Sequence, residues 1–264
     1  MSILKEICEY KKHFVKNQKK IKSNVEIIEE CSKLTSVIAH TFQDKLIKGK
    51  DRKISIIGEL KRSSPSAGRI IEKEINLVDM AKTYQKNGIC CLSVLTDEKY
   101  FNGSNKDLIE IRNNVDIPIL RKDFIIDEYQ IYESKIIGAD CILLILSALD
   151  NEQALLFENI ALNIGLDVLI ETHDESEIER ALLMNSKLIG INNRNLNNFT
   201  VNIENSINLS KGISSEKVLV AESGISNRSD IDSIMLNSTI ETFLIGESLM
   251  RSSDLGSDIK NLIN

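Results

Sequence analysis

Tryptophan is absent, proline occurs only twice (Pro65 and Pro118), and the 264 residues include just three histidines. His13 and His40 have no third ligand at metal-binding spacing, and no metal site is expected. The five cysteines (Cys8, Cys31, Cys90, Cys91, Cys141) form no CxxC pair. Zinc-ribbon and thiol-redox spacings are thereby excluded, and reduced, buried thiols in a cytoplasmic protein are expected. The longest apolar run, near Cys141–Leu149, falls short of the roughly 18 residues a membrane helix needs, so no membrane partner is expected. The amino end is too polar for a secretory signal. Acidic residues number 39 against 33 basic ones, a formal charge of −6 that gives nucleic acid no global hold. The apolar fraction of 42% and charged fraction of 27% are those of a globular chain with a sizeable core.

Residues 1–50 carry no strand signal. Ile3, Leu4 and Ile7, and later Ile27, Ile28, Cys31 and Leu34, fall at helical spacing among lysines and glutamates. From residue 54 the pattern changes to short runs rich in Ile, Val and Leu, at 54–60, 89–95, 117–121, 140–146, 166–171, 187–192, 217–222 and 242–246. They recur about every 27 residues, the length of a strand plus a crossover helix. Between them lie helical stripes such as Leu77, Met80, Ala81 and Tyr84. Near-continuous apolar strands alternating with helices indicate a parallel sheet covered on both faces. Eight such units indicate an α/β fold, a (β/α)8 TIM barrel with an N-terminal helical extension. No G-x-G-x-x-G follows the first run, which leaves a dinucleotide-binding sheet without support.

In such a barrel the chemistry sits at the carboxyl ends of the strands. With a side-chain period of two, Glu59 and Lys61 share the face opposite Leu60, Lys122 lies on the Leu120 face, and Glu171 on the Leu169 face. Asn192, Asn193 and Arg194 end the sixth run, and Glu222-Ser223-Gly224 the seventh. Burying so many polar groups for structure alone costs several kcal/mol. His173, two residues beyond Glu171, reads as the opening of the next helix, and Ser64 has no histidine partner for nucleophilic chemistry. The seventh and eighth runs end in Gly224 and Gly246, each before a helix start, where backbone N–H groups can hold an anion.

The segments 58–66 (GELKRSSPS), 92–104 (LSVLTDEKYFNGS) and 120–125 (LRKDFI) closely resemble indole-3-glycerol-phosphate synthase. So do 190–196 (GINNRNL), 220–225 (VAESGI) and 243–247 (FLIGE), and the resemblance spans nearly the whole chain. It implies conversion of 1-(2-carboxyphenylamino)-1-deoxyribulose 5-phosphate to indole-3-glycerol phosphate, with loss of carbon dioxide and water, in tryptophan biosynthesis. No metal or organic cofactor is implied. The resemblance assigns catalysis to Glu59, Lys61, Lys122, Glu171, Asn192 and Ser223, with Lys122 as general acid and Glu171 as cation stabiliser or base. Lys61, Arg194, Gly224, Gly246 and Glu247 are implied to hold the substrate phosphate. Pro65, Phe101, Phe124, Leu143, Ile145 and Leu196 are implied to line the anthranilate ring pocket. Glu247 stands where some members carry a small hydroxyl residue, so backbone contact with its side chain turned away is expected.

A lysine at its ordinary pKa is a reluctant acid, and burial among cationic neighbours is expected to lower Lys122. The whole chain is expected to be one domain, with residues 1–50 covering the catalytic face. A monomer, at most a weak homodimer, is expected, acting on a phosphorylated small molecule. Two alternatives stay open at this point. A phosphosugar isomerase of phosphoribosylanthranilate type predicts a paired carboxylate or cysteine acid–base couple, and a non-catalytic phosphate sensor predicts binding without turnover.

Overall fold

A computed structural model describes residues 3–34, 41–48, 54–65, 68–69, 76–196 and 198–264. His40 lies outside them, and His13 is exposed on the first helix. Three helices come first: α1 (Ile3–Ile21), α2 (Asn24–Ser32) and α3 (Thr41–Lys48). Ser23 starts α2 with a capping box, its hydroxyl accepting from Glu26 N while the Glu26 carboxylate accepts from Ser23 N.

Strand β1 (Ser55–Leu60) is followed by a small antiparallel pair, β2 (Ser63–Ser64) with β3 (Gly68–Arg69), and by helix α4 (Leu77–Lys86). The barrel continues through β4 (Cys91–Leu95), β5 (Ile119–Lys122), β6 (Cys141–Ile145), β7 (Asp167–Thr172), β8 (Leu188–Asn192), β9 (Val218–Glu222) and β10 (Thr242–Ile245). The expected boundaries hold to within two residues, the largest offsets being at Cys91 and Ile119. Every neighbouring pair is parallel, and β1 bonds both β4 and β10, closing the barrel. The intervening helices are α5 (Glu98–Phe101), α6 (Asn105–Arg112), α7 (Glu128–Ile136), α8 (Asn151–Asn163), α9 (Glu175–Leu182) and α10 (Glu204–Leu209). They are followed by α11 (Arg228–Asn237), α12 (Glu247–Met250) and α13 (Leu255–Ile263).

Both faces of the strands are packed, as their continuous apolar runs require. Outward residues such as Ile56, Leu60, Val94, Ile142 and Ile170 join the helices in the larger core. Inward residues Ile57, Cys91, Leu120, Cys141, Leu143, Leu169, Leu188, Val220 and Leu244 fill the barrel. The inward set fixes the parity of every strand, and Glu59, Lys122 and Glu171 fall on it.

The N-terminal segment does not lie over one face as expected. Helix α1 sits at the carboxyl-end mouth, where buried Lys11 pairs with Asp97 beyond β4 and Asp123 beyond β5. Helix α3 closes the opposite end. Its Phe42 and Leu46 pack against Cys91, Cys141 and the other inward residues, and Gln43 N donates to Asp167 Oδ2 at the start of β7. The physical reason is that a barrel core is open at both ends, and the apolar first layer at the amino end needs cover too. All five thiols are free, four of them buried and Cys8 half-buried. Among the described residues no helix is long and apolar enough to cross a membrane.

Candidate functional site

At the carboxyl ends of the strands lies a cavity of about 640 Å³. Every site residue expected from the sequence lines it, from Glu59 and Lys61 on the β1 side to Gly246 and Glu247 on the β10 side. Leu4 and Ile7 of α1 complete its wall.

Its floor is an ionic cluster. Lys122 Nζ donates to Glu222 and lies 3.3 Å from Glu171 Oε2, while Lys61 pairs with Glu59. Asn192 Nδ2 donates to Glu171 Oε1 at 3.1 Å, and its own Oδ1 accepts from Arg194 N at 3.0 Å. These partners come from β1, β5, β7, β8 and β9, so barrel closure assembles what the sequence scatters. Glu222 is the principal residue the sequence reading left out of the site. The alternation that put Glu171 with Leu169 also puts Glu222 with Val220, and that signal identifies it.

Burial by itself would discharge Lys122, but the carboxylates of Glu222, Glu171 and Glu59 surround it and hold its pKa well above the ordinary lysine value. The expected lowering is therefore reversed, because its neighbours are anionic rather than cationic. Burial raises both central carboxyls, and the balance then differs between them. Lys122, His173 and Asn192 draw Glu171 well below the usual carboxylate range. Glu222 has Lys122 but also faces Glu171 and Glu59, and is pushed up to about 7. Glu59, equally buried, is held low by Lys61 and Lys122.

Glycine lets the backbone pass close against this cluster. At Gly190 any Cβ would meet the Glu222 carboxyl, its Cδ lying 3.2 Å from that position. At the β9 end Ser223 and Gly224 both adopt left-handed backbone, with φ of 67° and 79°. For serine this conformation costs about 1 kcal/mol or more. It is held by Asn193, whose Nδ2 donates to Ser223 O at 3.0 Å and whose Oδ1 accepts from Ser206 N and Oγ. Ser248 Oγ donates to Ile225 O, tying this loop to the start of α12. Glu247 turns its carboxylate to Arg251 one turn on, at 3.1 Å, leaving its backbone at the loop.

The opposite wall is apolar: Phe101 and Phe124 stand 6.1 Å apart between ring centroids, near Leu143 and Ile145. Among the described residues no group of three or more His, Cys, Asp or Glu side chains is arranged for a metal ion. The cavity thus offers an apolar wall, with proton donors and acceptors on its floor.

A sequence profile of the family described as indole-3-glycerol phosphate synthase matches residues 4–262. The protein of that name from Legionella pneumophila (strain Lens) is 46% identical over 209 residues, covering 79% of this chain and 80% of the relative. That from Caldanaerobacter subterraneus subsp. tengcongensis is 43% identical over 253 residues, covering 96% and 94%. That from Polaromonas naphthalenivorans (strain CJ2) is 42% identical over 233 residues, covering 88% and 87%. Among solved structures, a thiamine phosphate pyrophosphorylase from Pyrococcus furiosus has a TM-score of 0.59 at 14% identity, over 80% of this chain and 94% of that one, a likeness of fold alone. With a profile match along nearly its full length and relatives at this identity, the chain belongs to the indole-3-glycerol phosphate synthase family.

Proposed function

We propose that this chain closes the indole ring of 1-(2-carboxyphenylamino)-1-deoxyribulose 5-phosphate, releasing carbon dioxide and water, as a carboxy-lyase of tryptophan biosynthesis. The observation that carries the assignment of roles is Lys122, a half-buried ammonium among three carboxylates in a cavity with an apolar wall. The aromatic ring lies against the apolar wall that Phe101 and Phe124 form, and its carboxyl-bearing carbon attacks the ribulose carbonyl while Lys122 protonates the carbonyl oxygen. That oxygen becomes an alkoxide more basic than an amine, so even a lysine held high can donate to it. Attack breaks aromaticity and builds a cation, which Glu171, kept ionised, stabilises at close range. Loss of carbon dioxide restores the ring.

The dehydration that follows needs a proton for the departing hydroxyl and an acceptor for the proton lost from carbon. Lys61, paired with Glu59, supplies the first, and Glu222, its carboxyl pushed up to about 7, accepts the second and returns it to Lys122, left neutral by ring closure. The phosphate sits on backbone N–H groups of Gly224, Gly246 and Glu247 with Arg194 and Lys61 nearby. Asn192 and Ser223 orient the sugar hydroxyls, and α1 covers the catalytic face and excludes water. The protein works as a cytoplasmic monomer, a setting supported by its free thiols.

The test is a fluorescence assay for indoleglycerol phosphate with the purified chain, with and without the substitution Lys122→Met. Turnover by the wild type and a loss of about 10²-fold or more in the variant, with substrate still bound, are expected. Binding without turnover by the wild type would overturn the reading in favour of a ligand sensor.

A further inference from the structure

We propose that His173 is a positioning residue for this reaction: as an imidazolium clamped between Glu177 and Glu171, it keeps Glu171 ionised and aimed, and leaves Glu222 as the carboxyl that exchanges protons. The proposal rests on the ring-closure reading of the site. His173 opens the β7–α9 connection as expected, one residue before the α9 cap Asp174, but its ring is turned inward and is only 14% exposed. Glu177 in the first turn of α9 accepts twice from it, from the backbone N–H at 2.8 Å and from Nδ1 at 3.1 Å. With Nδ1 so engaged, Nε2 lies 3.3 Å from Glu171 Oε1. Among the described residues Nε2 has no hydrogen-bond partner, so its approach to Glu171 is that of an ion pair: a neutral ring with its hydrogen on Nδ1 would set a lone pair against a carboxylate, and an imidazolium does not.

The charge count of the cavity floor points the same way. Among the described residues, Glu59, Glu171 and Glu222 pair with two ammonium groups, Lys61 and Lys122. His173 adds a positive charge behind Glu171 rather than on the substrate side, and shares it with Glu177. Burial would discharge the ring, but Glu171 and Glu177 raise its pKa to about 10. Among the described residues the other elements around it place no further carboxylate at its nitrogens. Ser147, after β6, places its hydroxyl 3.5 Å from Nδ1, and Asn205 of α10 donates to the His173 carbonyl. Asp174 is engaged with Glu177 N at 2.9 Å. His173 itself lines a second cavity of about 580 Å³, together with Asn192, Asn205 and Arg194 beyond β8. Glu171 itself faces Lys122 and Asn192 on its remaining sides.

The experiment compares kcat/KM against pH for the wild type, His173→Gln and Glu177→Gln, with melting temperatures taken in parallel. Removing the cation raises every carboxyl near it, so the acid limb of His173→Gln is expected to move up by about one pH unit. Activity then falls about tenfold on the acid side and approaches the wild type on the alkaline side. Glu177→Gln moves the limb the same way by less. An unchanged limb in both variants, whatever their melting temperatures, would overturn the proposal.

A second readout needs no turnover. Nitrogen NMR of the free protein, with the His173 signal assigned by its loss in His173→Gln or its shift in Glu177→Gln, is expected to show an imidazolium through about pH 8. A neutral ring at pH 7 would overturn the proposal. Absence of turnover in the wild type would sink the ring-closure reading instead, and the spectra would still decide the state of His173.

Discussion

Replacing Lys11 by methionine removes one ammonium group from between two buried carboxylates. Lys11 Nζ lies 2.8 Å from Asp97 Oδ2 and 2.7 Å from Asp123 Oδ1, and the three side chains are 3%, 0% and 2% exposed. Leaving a buried charge without its partner costs about 3–5 kcal/mol. Asp123 keeps Thr96 Oγ1 at 2.5 Å and Arg121 Nη2 at 3.6 Å, and Asp97 keeps the N–H of Tyr100, which places the loss near the lower end, about 3 kcal/mol. For a chain of this size that is a fall in Tm of roughly 6–12 °C. The sign of the pH dependence follows from Asp123. Burial alone would raise its pKa, but Lys11 and Arg121 hold it below the usual range, so its stabilisation is present at neutral pH and lost as pH falls through the folded value. Without Lys11 that value rises, Asp123 takes up a proton more readily, and the gap between variant and wild type narrows toward acid. Urea melts at about pH 7 and pH 4.5 measure this directly. A gap under about 1 kcal/mol at pH 7, or one equally wide at both values, would refute the reasoning. Because Leu4 and Ile7 line the cavity on the turns just before Lys11, KM is expected to rise more than kcat falls.

Glu222→Gln removes the carboxyl poised nearest neutrality and is expected to lower kcat by about 10²-fold or more, read in the indole fluorescence assay. In the wild type kcat/KM should fall below about pH 7, where Glu222 takes a proton, and show no basic limb from Lys122 at or below the ordinary lysine pKa; a limb at pH 8–9 that Lys122→Met removes would contradict the charge cluster. Gly190→Ala places a methyl group against the Glu222 carboxyl and should cost kcat at least tenfold while circular dichroism stays native; full activity would show that the carboxyl has room to move. With a thiol reagent the folded protein should label Cys8 first, whereas Cys91 and Cys141, fully buried and pushed well above the ordinary thiol value by that burial, react only after unfolding.

The strands were legible because a strand packed on both faces must be apolar throughout, and eight such runs at even spacing leave few architectures. Alternation then aimed the side chains: Lys122 followed from Leu120 and Glu171 from Leu169. The same rule contained Glu222, which was passed over because its strand end was read for glycines. The protonation of Lys122 was not legible at all. Its strongest partner stands 100 positions away in the chain, and a sequence without contacts does not say whether a buried lysine meets cations or carboxylates. The N-terminal helices showed the same limit. An amphipathic stripe says that a face is covered, but not which end of the barrel covers it, so α3 was assigned to the wrong end. For His173 the spacing from Glu171 was visible, while the fixing of its ring by Glu177 depends on how α9 turns away from β7.

The grip of α1 and α3 on opposite ends of the barrel sets an order on biosynthesis. Phe42 packs against Cys91 and Cys141, Gln43 bonds Asp167, and Lys11 waits for Asp97 and Asp123. A ribosome emits these helices well before the strands that seat them, so α3 lacks its Asp167 partner until β7 begins to emerge. During that interval the leading helices carry bare apolar faces, which makes this stretch the natural client for a holding chaperone and the place where a slow codon or a crowded polysome would most readily divert the nascent chain.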